Sequence, residues 1–417
     1  MGYKNFSLST ICAFALLCGI TIFGGARVTA QTETVLHTFN GSGDGGEPYG
    51  APIFDKAGNL YGVTFMGGTH LNGTVYELKA GSSTEEILHS FDLNAGDGQS
   101  PQGTLVMDSA GKLYGVTPLG GSRKLGIVYE LMPQAGGTWN EKIIHTFVGG
   151  ADGRSPQAGL IIDRKGNLYG TTYQGGTGAN CGKFACGTVF ELSPKSNGAW
   201  TEKILYSFKG GTGDGQNPAA SLLLDSAGNL YGTTVAGGTG GSVNSGTVFK
   251  LSPNGSGGYT ESVLHNFSCV SDGCNPYAGL VLDSKGNLYD TTGAGGTLGY
   301  GTVFRLSPGS GGTWTETVLH NFGASGDGQY PQFSGVTFKS GNLYGTTSAG
   351  GATGNGIVFK MTPASGGTWN ETVLFDFNGT DGNVPQGGVI FDATGNLYGV
   401  TQYGGSNFGG TAFKIVP

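Results

Sequence analysis

The chain is expected to fold as an all-β, seven-bladed β-propeller of four-stranded antiparallel blades, because two sequence strings each recur seven times in a glycine-rich, charge-poor chain. Leu-Tyr followed by Gly (once Asp), with a Thr two residues further on, recurs at Tyr61, Tyr114, Tyr169, Tyr231, Tyr289, Tyr344 and Tyr398. The second string, first met as Val-Leu-His-Thr-Phe, recurs with its phenylalanine at Phe39, Phe91, Phe147, Phe208, Phe267, Phe322 and Phe377. A repeat of roughly 55 residues marks one supersecondary unit that buries its faces only against its neighbours. Of the 417 residues, 84 are glycine and 12% are charged, while 11% are aromatic. That aromatic content argues against disorder, and the absence of a Gly-X-Y period excludes a collagen-like chain.

Each unit carries four strand candidates, which the third unit displays well. Residues 157–163 form an apolar run that ends in the turn Arg164-Lys165-Gly166. Residues 167–173 follow, rich in β-branched and aromatic side chains; a glycine-rich loop then leads to 187–192, and a Ser/Asn/Gly turn to 200–208. The first six blades are therefore expected at 48–91, 101–147, 156–208, 218–267, 276–322 and 331–377. The last, 385–417, has only three strands, and its missing outer strand is found at 32–39. An N-terminal strand that completes the last blade closes the ring and removes the open end that would otherwise expose unpaired backbone.

Residues 1–30 read as a secretory signal peptide. Lys4 precedes an apolar run over 6–23, and Val28-Thr29-Ala30 sets small residues before Gln31. The expected product is a single domain, 31–417, secreted or periplasmic, monomeric, and without a membrane span after processing. The net charge of -7 and the lack of a basic run argue against nucleic acid as a partner. Outside the leader stand Cys181, Cys186, Cys269 and Cys274, and export favours two short-range disulfides, 181–186 and 269–274.

Most eye-catching residues recur with the repeat and so have a structural reason. Asp-Gly precedes each first strand, at Asp44, Asp97, Asp152, Asp214, Asp272, Asp327 and Asp381. A ring of carboxylates could hold Ca²⁺, but one acid per loop favours a turn in which Asp accepts from backbone amides. A second Asp, as at Asp55 and Asp163, ends most first strands in ordinary tight-turn chemistry. Glu33, Glu85, Glu141, Glu202, Glu261, Glu316 and Glu371 recur in the outer strand and read as solvent-facing. His37, His89, His145, His265 and His320 give way to Tyr206 and Phe375 at the same place, so that position asks for an aromatic shape. Asp290 replaces the glycine of Leu-Tyr-Gly in the fifth unit, where local hydrogen bonding is favoured over exposure to the channel.

Departures from symmetry point to a site. The residue after each recurrent proline is Tyr49, Gln102, Gln157, Ala219, Tyr277, Gln332 and Gln386 in turn. Amides and tyrosines around a channel mouth suit a neutral, hydroxyl-rich ligand such as a glycan, through hydrogen bonds and ring stacking. The plainer reading is that they bond neighbouring turns. Longer loops add His70, Arg123, Lys124, Lys183 and Phe184. No nucleophile elbow, phosphate loop, zinc-helix motif or EF-hand string is present, so no catalytic residue and no cofactor are assigned.

The strings at 166–172, 187–194 and 311–322, in fixed order and repeated along the chain, resemble the GloVer tandem-repeat family. The resemblance implies an exported bacterial repeat protein and transfers no catalytic residues. The expected function is a non-catalytic binding or scaffolding propeller with a glycan or protein ligand. The alternatives are a propeller hydrolase or lyase acting on polysaccharide or lactone, and a purely structural surface repeat.

Overall fold

The computed structural model describes residues 31–82, 84–239 and 245–416, so the expected signal peptide lies outside the described residues. Residues 31–417 form one compact unit. Its described residues form seven four-stranded antiparallel sheets and three two-stranded ladders, joined by loops with short 3-10 turns and no α-helix. The four-stranded sheets are the seven blades of a β-propeller. Blade 1 runs outward through Gly46–Phe54, Leu60–Met66, Thr74–Leu78 and Glu85–Ser90. Blade 7 takes Asn383–Phe391, Leu397–Tyr403 and Thr411–Val416 from the C-terminus, and Thr32–Thr38 as its outer strand. The expected closure by the N-terminal strand is thus observed, with Thr32 opposite Val416 and Thr38 opposite Thr411.

The innermost strands depart from the sequence expectation. In blades 3, 4 and 5 only Ile161–Ile162, Leu223–Leu224 and Val281–Leu282 pair as strand. In blades 1, 2 and 7 the same strand is long but its register breaks between Tyr49 and Ile53, Gln102 and Val106, and Gln386 and Ile390. The small residues in that break lie where neighbouring backbones crowd the axis. A Cβ at Gly103 would come 2.3 Å from the Gly159 nitrogen, and one at Gly387 2.3 Å from the Gly50 carbonyl carbon. Close backbone approach is the reason those positions are glycine.

The blades are welded at seven seams, each with its own apolar cluster. The recurrent phenylalanine sits at the centre of each. Phe39, Phe91, Phe147, Phe208, Phe267, Phe322 and Phe377 have no exposed surface. Each meets an aromatic ring of the next blade edge-on, as in Phe39–Tyr76 at 5.1 Å, Phe147–Phe190 at 5.3 Å and Phe377–Phe413 at 5.1 Å. Burying one such ring stabilises by about 2–3 kcal/mol, and the edge-to-face contact adds about 0.5–1.5 kcal/mol.

Both disulfides form as expected, Cys181–Cys186 and Cys269–Cys274. Each closes a very short loop, so each removes little entropy from the unfolded chain, about 2 kcal/mol in the loop-closure account. Replacing either pair by serine is expected to lower Tm by only a few degrees in a thermal melt. A collapse of the cooperative transition would show that the bridges organise the ring.

Candidate functional site

The loops that enter each first strand and those between the second and third strands share one face, here called the mouth. Seven residues immediately before the recurrent proline hold it in place: Glu47, Ser100, Ser155, Asn217, Asn275, Tyr330 and Val384, all with φ between 53° and 58°. A non-glycine residue in the left-handed region persists only where its surroundings demand it. The demand is visible in the backbone: Glu47 N–H donates to the Gly409 carbonyl at 2.8 Å, Ser100 to Asn72 at 2.8 Å and Tyr330 to Tyr300 at 2.9 Å. Each of these bonds ties one blade to the blade before it.

The turn reading of the first Asp set holds at all seven loops. Each carboxylate accepts from the backbone amide that follows the recurrent phenylalanine, as Asp44 from Asn40 at 3.0 Å, Asp214 from Lys209 at 2.7 Å and Asp381 from Asn378 at 2.9 Å. The second Asp set likewise accepts from its own turn and from the repeat tyrosine, as Asp55 from Asn59 at 2.9 Å and from Tyr61 at 3.2 Å.

Two sequence readings are corrected at the seams. The recurrent glutamates do not face solvent: each packs against the Asp of its own blade's entry loop, and the Glu85 side chain is only 4% exposed. All seven have a buried Oε1 with no hydrogen-bond partner. Burial, with the nearby Asp second, raises the Glu85 carboxyl to about 9 and those of Glu33, Glu141, Glu261, Glu316 and Glu371 to about 7. The outer-strand histidines complete the seam by approaching the same Asp. His89 Nε2 lies 2.8 Å from Asp97, His320 Nε2 lies 3.0 Å from Asp327, and Tyr206 donates to Asp214 at 2.8 Å. These rings also stand edge-on to the seam phenylalanine, which is why Tyr206 and Phe375 substitute there.

Asp290 is the second correction. It does not face the channel, and the local group that approaches its carboxyl is the adjacent Thr291 backbone amide. It has no exposed surface, and neither carboxylate oxygen has a partner of proper geometry. It lies across the sheet from Phe304, which belongs to the apolar cluster between blades 4 and 5. Burial raises its carboxyl to about 8, opposed only by the Thr291 backbone amide.

Of the residues that follow the prolines, Tyr49, Gln157, Ala219 and Tyr277 line a cavity of about 350 Å³ on the axis. Gln386 is buried and donates to Gln402 Oε1 at 3.1 Å; Gln402 in turn donates to Glu47 Oε2 at 3.1 Å. The Gln386 Oε1 is buried without a partner. Gln102 and Gln332 are half-buried and do not line the cavity. Reading the position after proline missed Phe333, two residues after its proline, where the other units carry Gly50, Gly103, Ala158, Ala220, Ala278 and Gly387. Its ring stands 5.9 Å from Tyr49 and 5.1 Å from Tyr277, so blades 1, 5 and 6 meet over the axis. Phe65 adds a fourth ring 6.4 Å from Tyr49. Burial raises the phenols of Tyr49 and Tyr277 above the ordinary tyrosine value, so both stay neutral hydrogen-bonding groups.

Larger grooves lie between blades on the opposite face. One of about 820 Å³ between blades 2 and 3 is walled by Lys112, Glu130, Lys142, Arg164, Lys165 and Trp200. Its charge is partly paired internally, Lys112 donating to Glu130 at 2.6 Å, and a similar groove repeats between blades 3 and 4. The axial mouth differs because it gathers residues that break the repeat.

Apolar side chains also stand out around the mouth. Leu71, Phe184, Val270, Leu298 and Phe408 are exposed on its loops and Tyr403 at a strand end beside them, and Leu71 and Phe408 hold φ of 58° and 62° there. Phe184 lies under Arg154 at 4.9 Å, and His70 stands 3.8 Å from Asp92.

No helix among the described residues is long and apolar enough to cross a membrane. A crystal structure from Bacteroides uniformis, named as a proposed 6-phosphogluconolactonase, is similar over 89% of this chain and 100% of that one, with a TM-score of 0.52 and 12% identity. At that identity the likeness carries the fold alone. No curated protein matches the chain. The model of the Gloeobacter/Verrucomicrobia repeat matches at residues 21–243, 135–337 and 238–417, and the chain therefore belongs to that repeat family.

Proposed function

We propose that the protein is an exported, non-catalytic recognition propeller that binds a glycan at its axial mouth. The observation that carries this reading is the meeting of Tyr49, Tyr277 and Phe333 over the axis, three rings where most units carry small residues or amides. Such rings offer flat apolar faces to the C–H face of a sugar, and Gln157, Gln402 and the neutral phenols offer donors and acceptors to its hydroxyls. The apolar side chains around the mouth extend the contact beyond one sugar unit, which suits an oligosaccharide. Two disulfides support export.

The test is a glycan array probed with the full chain, followed by titration calorimetry on the best hit. Tyr277→Ala and Phe333→Ala are each expected to weaken binding about tenfold or more without changing the melt, since loss of one stacking ring is worth roughly 1.5 kcal/mol. Tyr49→Ala should weaken binding alike, with some loss of stability, because its ring also packs against the apolar cluster between blades 1 and 2. No hit on the array, or a hit indifferent to all three changes, rejects the mouth as a glycan site.

A further inference from the structure

We propose that the chain binds two divalent transition-metal ions, one at His37, Asp44 and Glu85 in the seam of blades 7 and 1, the other at His145, Asp152 and Glu202 in the seam of blades 2 and 3. In each set the imidazole and the two carboxylates bring one donor atom apiece within 4.8 Å of one another. His37 Nε2 lies 3.4 Å from Asp44 Oδ2 and 3.8 Å from Glu85 Oε2; His145 Nε2 lies 3.1 Å from Asp152 Oδ1 and 3.6 Å from Glu202 Oε1. Donors held at about 2.0–2.1 Å by a tetrahedral ion stand roughly 3.3 Å apart, so the spacing needs little adjustment.

The carboxylates are already oriented for the task. Asp44 accepts from the Asn40 amide at Oδ1 and turns Oδ2 to the imidazole. Asp152 accepts from the Val148 amide at Oδ2 and turns Oδ1 to the imidazole. Fixing the first ligand through its second atom is what outer partners do at metal sites. The glutamates reach the imidazoles from covered positions: Glu85, whose side chain is 4% exposed, approaches His37 through Oε2, and Glu202 approaches His145 through Oε1, which is buried without a hydrogen bond. A divalent ion cancels the charge of two carboxylates buried together, and a partly exposed imidazole edge leaves room for water as a fourth ligand. One nitrogen and few oxygens select zinc-like ions over Ca²⁺ or Mg²⁺, which want six or more oxygens.

The repeat supplies its own controls. Phe375 stands at the histidine position of the seam between blades 6 and 7, and Tyr206 at that between blades 3 and 4. The experiment takes the untagged full chain, strips it with chelator, loads it with Zn²⁺, dialyses it, and counts metal by plasma mass spectrometry. The expected result is two zinc ions per chain, one in His37→Phe, one in His145→Phe, none in the double variant, and two in His265→Phe. Circular dichroism checks that each variant is folded. Glu85→Gln and Glu202→Gln, which keep the shape of the site, serve if a phenylalanine variant does not fold, and each is then expected to lose one ion. No zinc retained by the wild type, or zinc retained by the folded double variant, overturns the proposal.

Discussion

Removing Thr32–Thr38 is expected to abolish cooperative folding of the whole ring. That strand covers the edge of Thr411–Val416 in an antiparallel register that runs from Thr32 to Thr38 and is broken by a bulge between Val35 and His37. It also positions Phe39, whose ring has no exposed surface and packs with Leu60, Tyr76, Leu78, Val400 and Ala412 from blades 1 and 7. Without it, one blade is left with three strands, one seam loses its central ring, and an unpaired edge faces solvent, which promotes aggregation. Total stabilities of roughly 5–15 kcal/mol do not survive such a loss. A milder version of the test uses the sevenfold repeat as its own ruler. Phe39→Ala and Phe147→Ala are each expected to cost about 3–5 kcal/mol in urea denaturation, the usual range for a buried Phe→Ala change. If Phe39→Ala costs under about 1 kcal/mol while Phe147→Ala costs the full amount, the N-terminal strand does not lock the ring.

Much of this fold was legible because the repeat poses one packing problem seven times. The recurrent phenylalanine, the Asp-Gly turn and the proline each keep their job in every blade, so seven weak local signals add into one strong one. The missing strand of blade 7 could be found at residues 32–39 for the same reason. What could not be read was contact between blades. In a single sequence the outer-strand glutamate alternates with threonine like any solvent-facing strand residue, and only the entry loop folding back beside it buries it. The mouth was half-legible. Tyr49, Gln157 and Tyr277 were found by following one repeat position, but Phe333 sits two residues past its proline in a register otherwise filled by glycine and alanine. Phe65 and Gln402 come from the end of the second strand, where the repeat also varies. A search for departures at every repeat position, rather than at one, would have found all three.

Asp290→Gly is expected to stabilise the protein, and by more as pH rises. Six blades place glycine here, and a Cβ would stand 2.6 Å from the Phe190 ring at Gly170 and 2.7 Å from the Phe359 ring at Gly345. Asp290 adds a carboxyl to that crowded seam without giving it a proper hydrogen-bond partner. A buried polar group left without partners costs about 1–3 kcal/mol, against about 0.5–1 kcal/mol for placing glycine in a strand. The pH dependence follows from where the proton is bound. The native carboxyl, raised by burial to about 8, keeps its proton where the unfolded one, near the ordinary aspartate value of 3.8, has lost it. The native state therefore binds more protons between about pH 4 and pH 8, and its stability falls as pH rises through that window, by up to about 1.4 kcal/mol per unit. Below that window the group is protonated in both states and contributes no slope. The seam glutamates slope the same way in both proteins and cancel from the difference. Urea denaturation of wild type and Asp290→Gly at pH 5, 7 and 9 should thus give a gain that grows with each step. Asp290→Asn, which keeps the volume and cannot ionise, should flatten the pH dependence while recovering only part of the stability. A gain that is the same at all three pH values would mean that Asp290 does not hold a proton in the folded ring, and that some partner keeps it charged at the seam of blades 4 and 5.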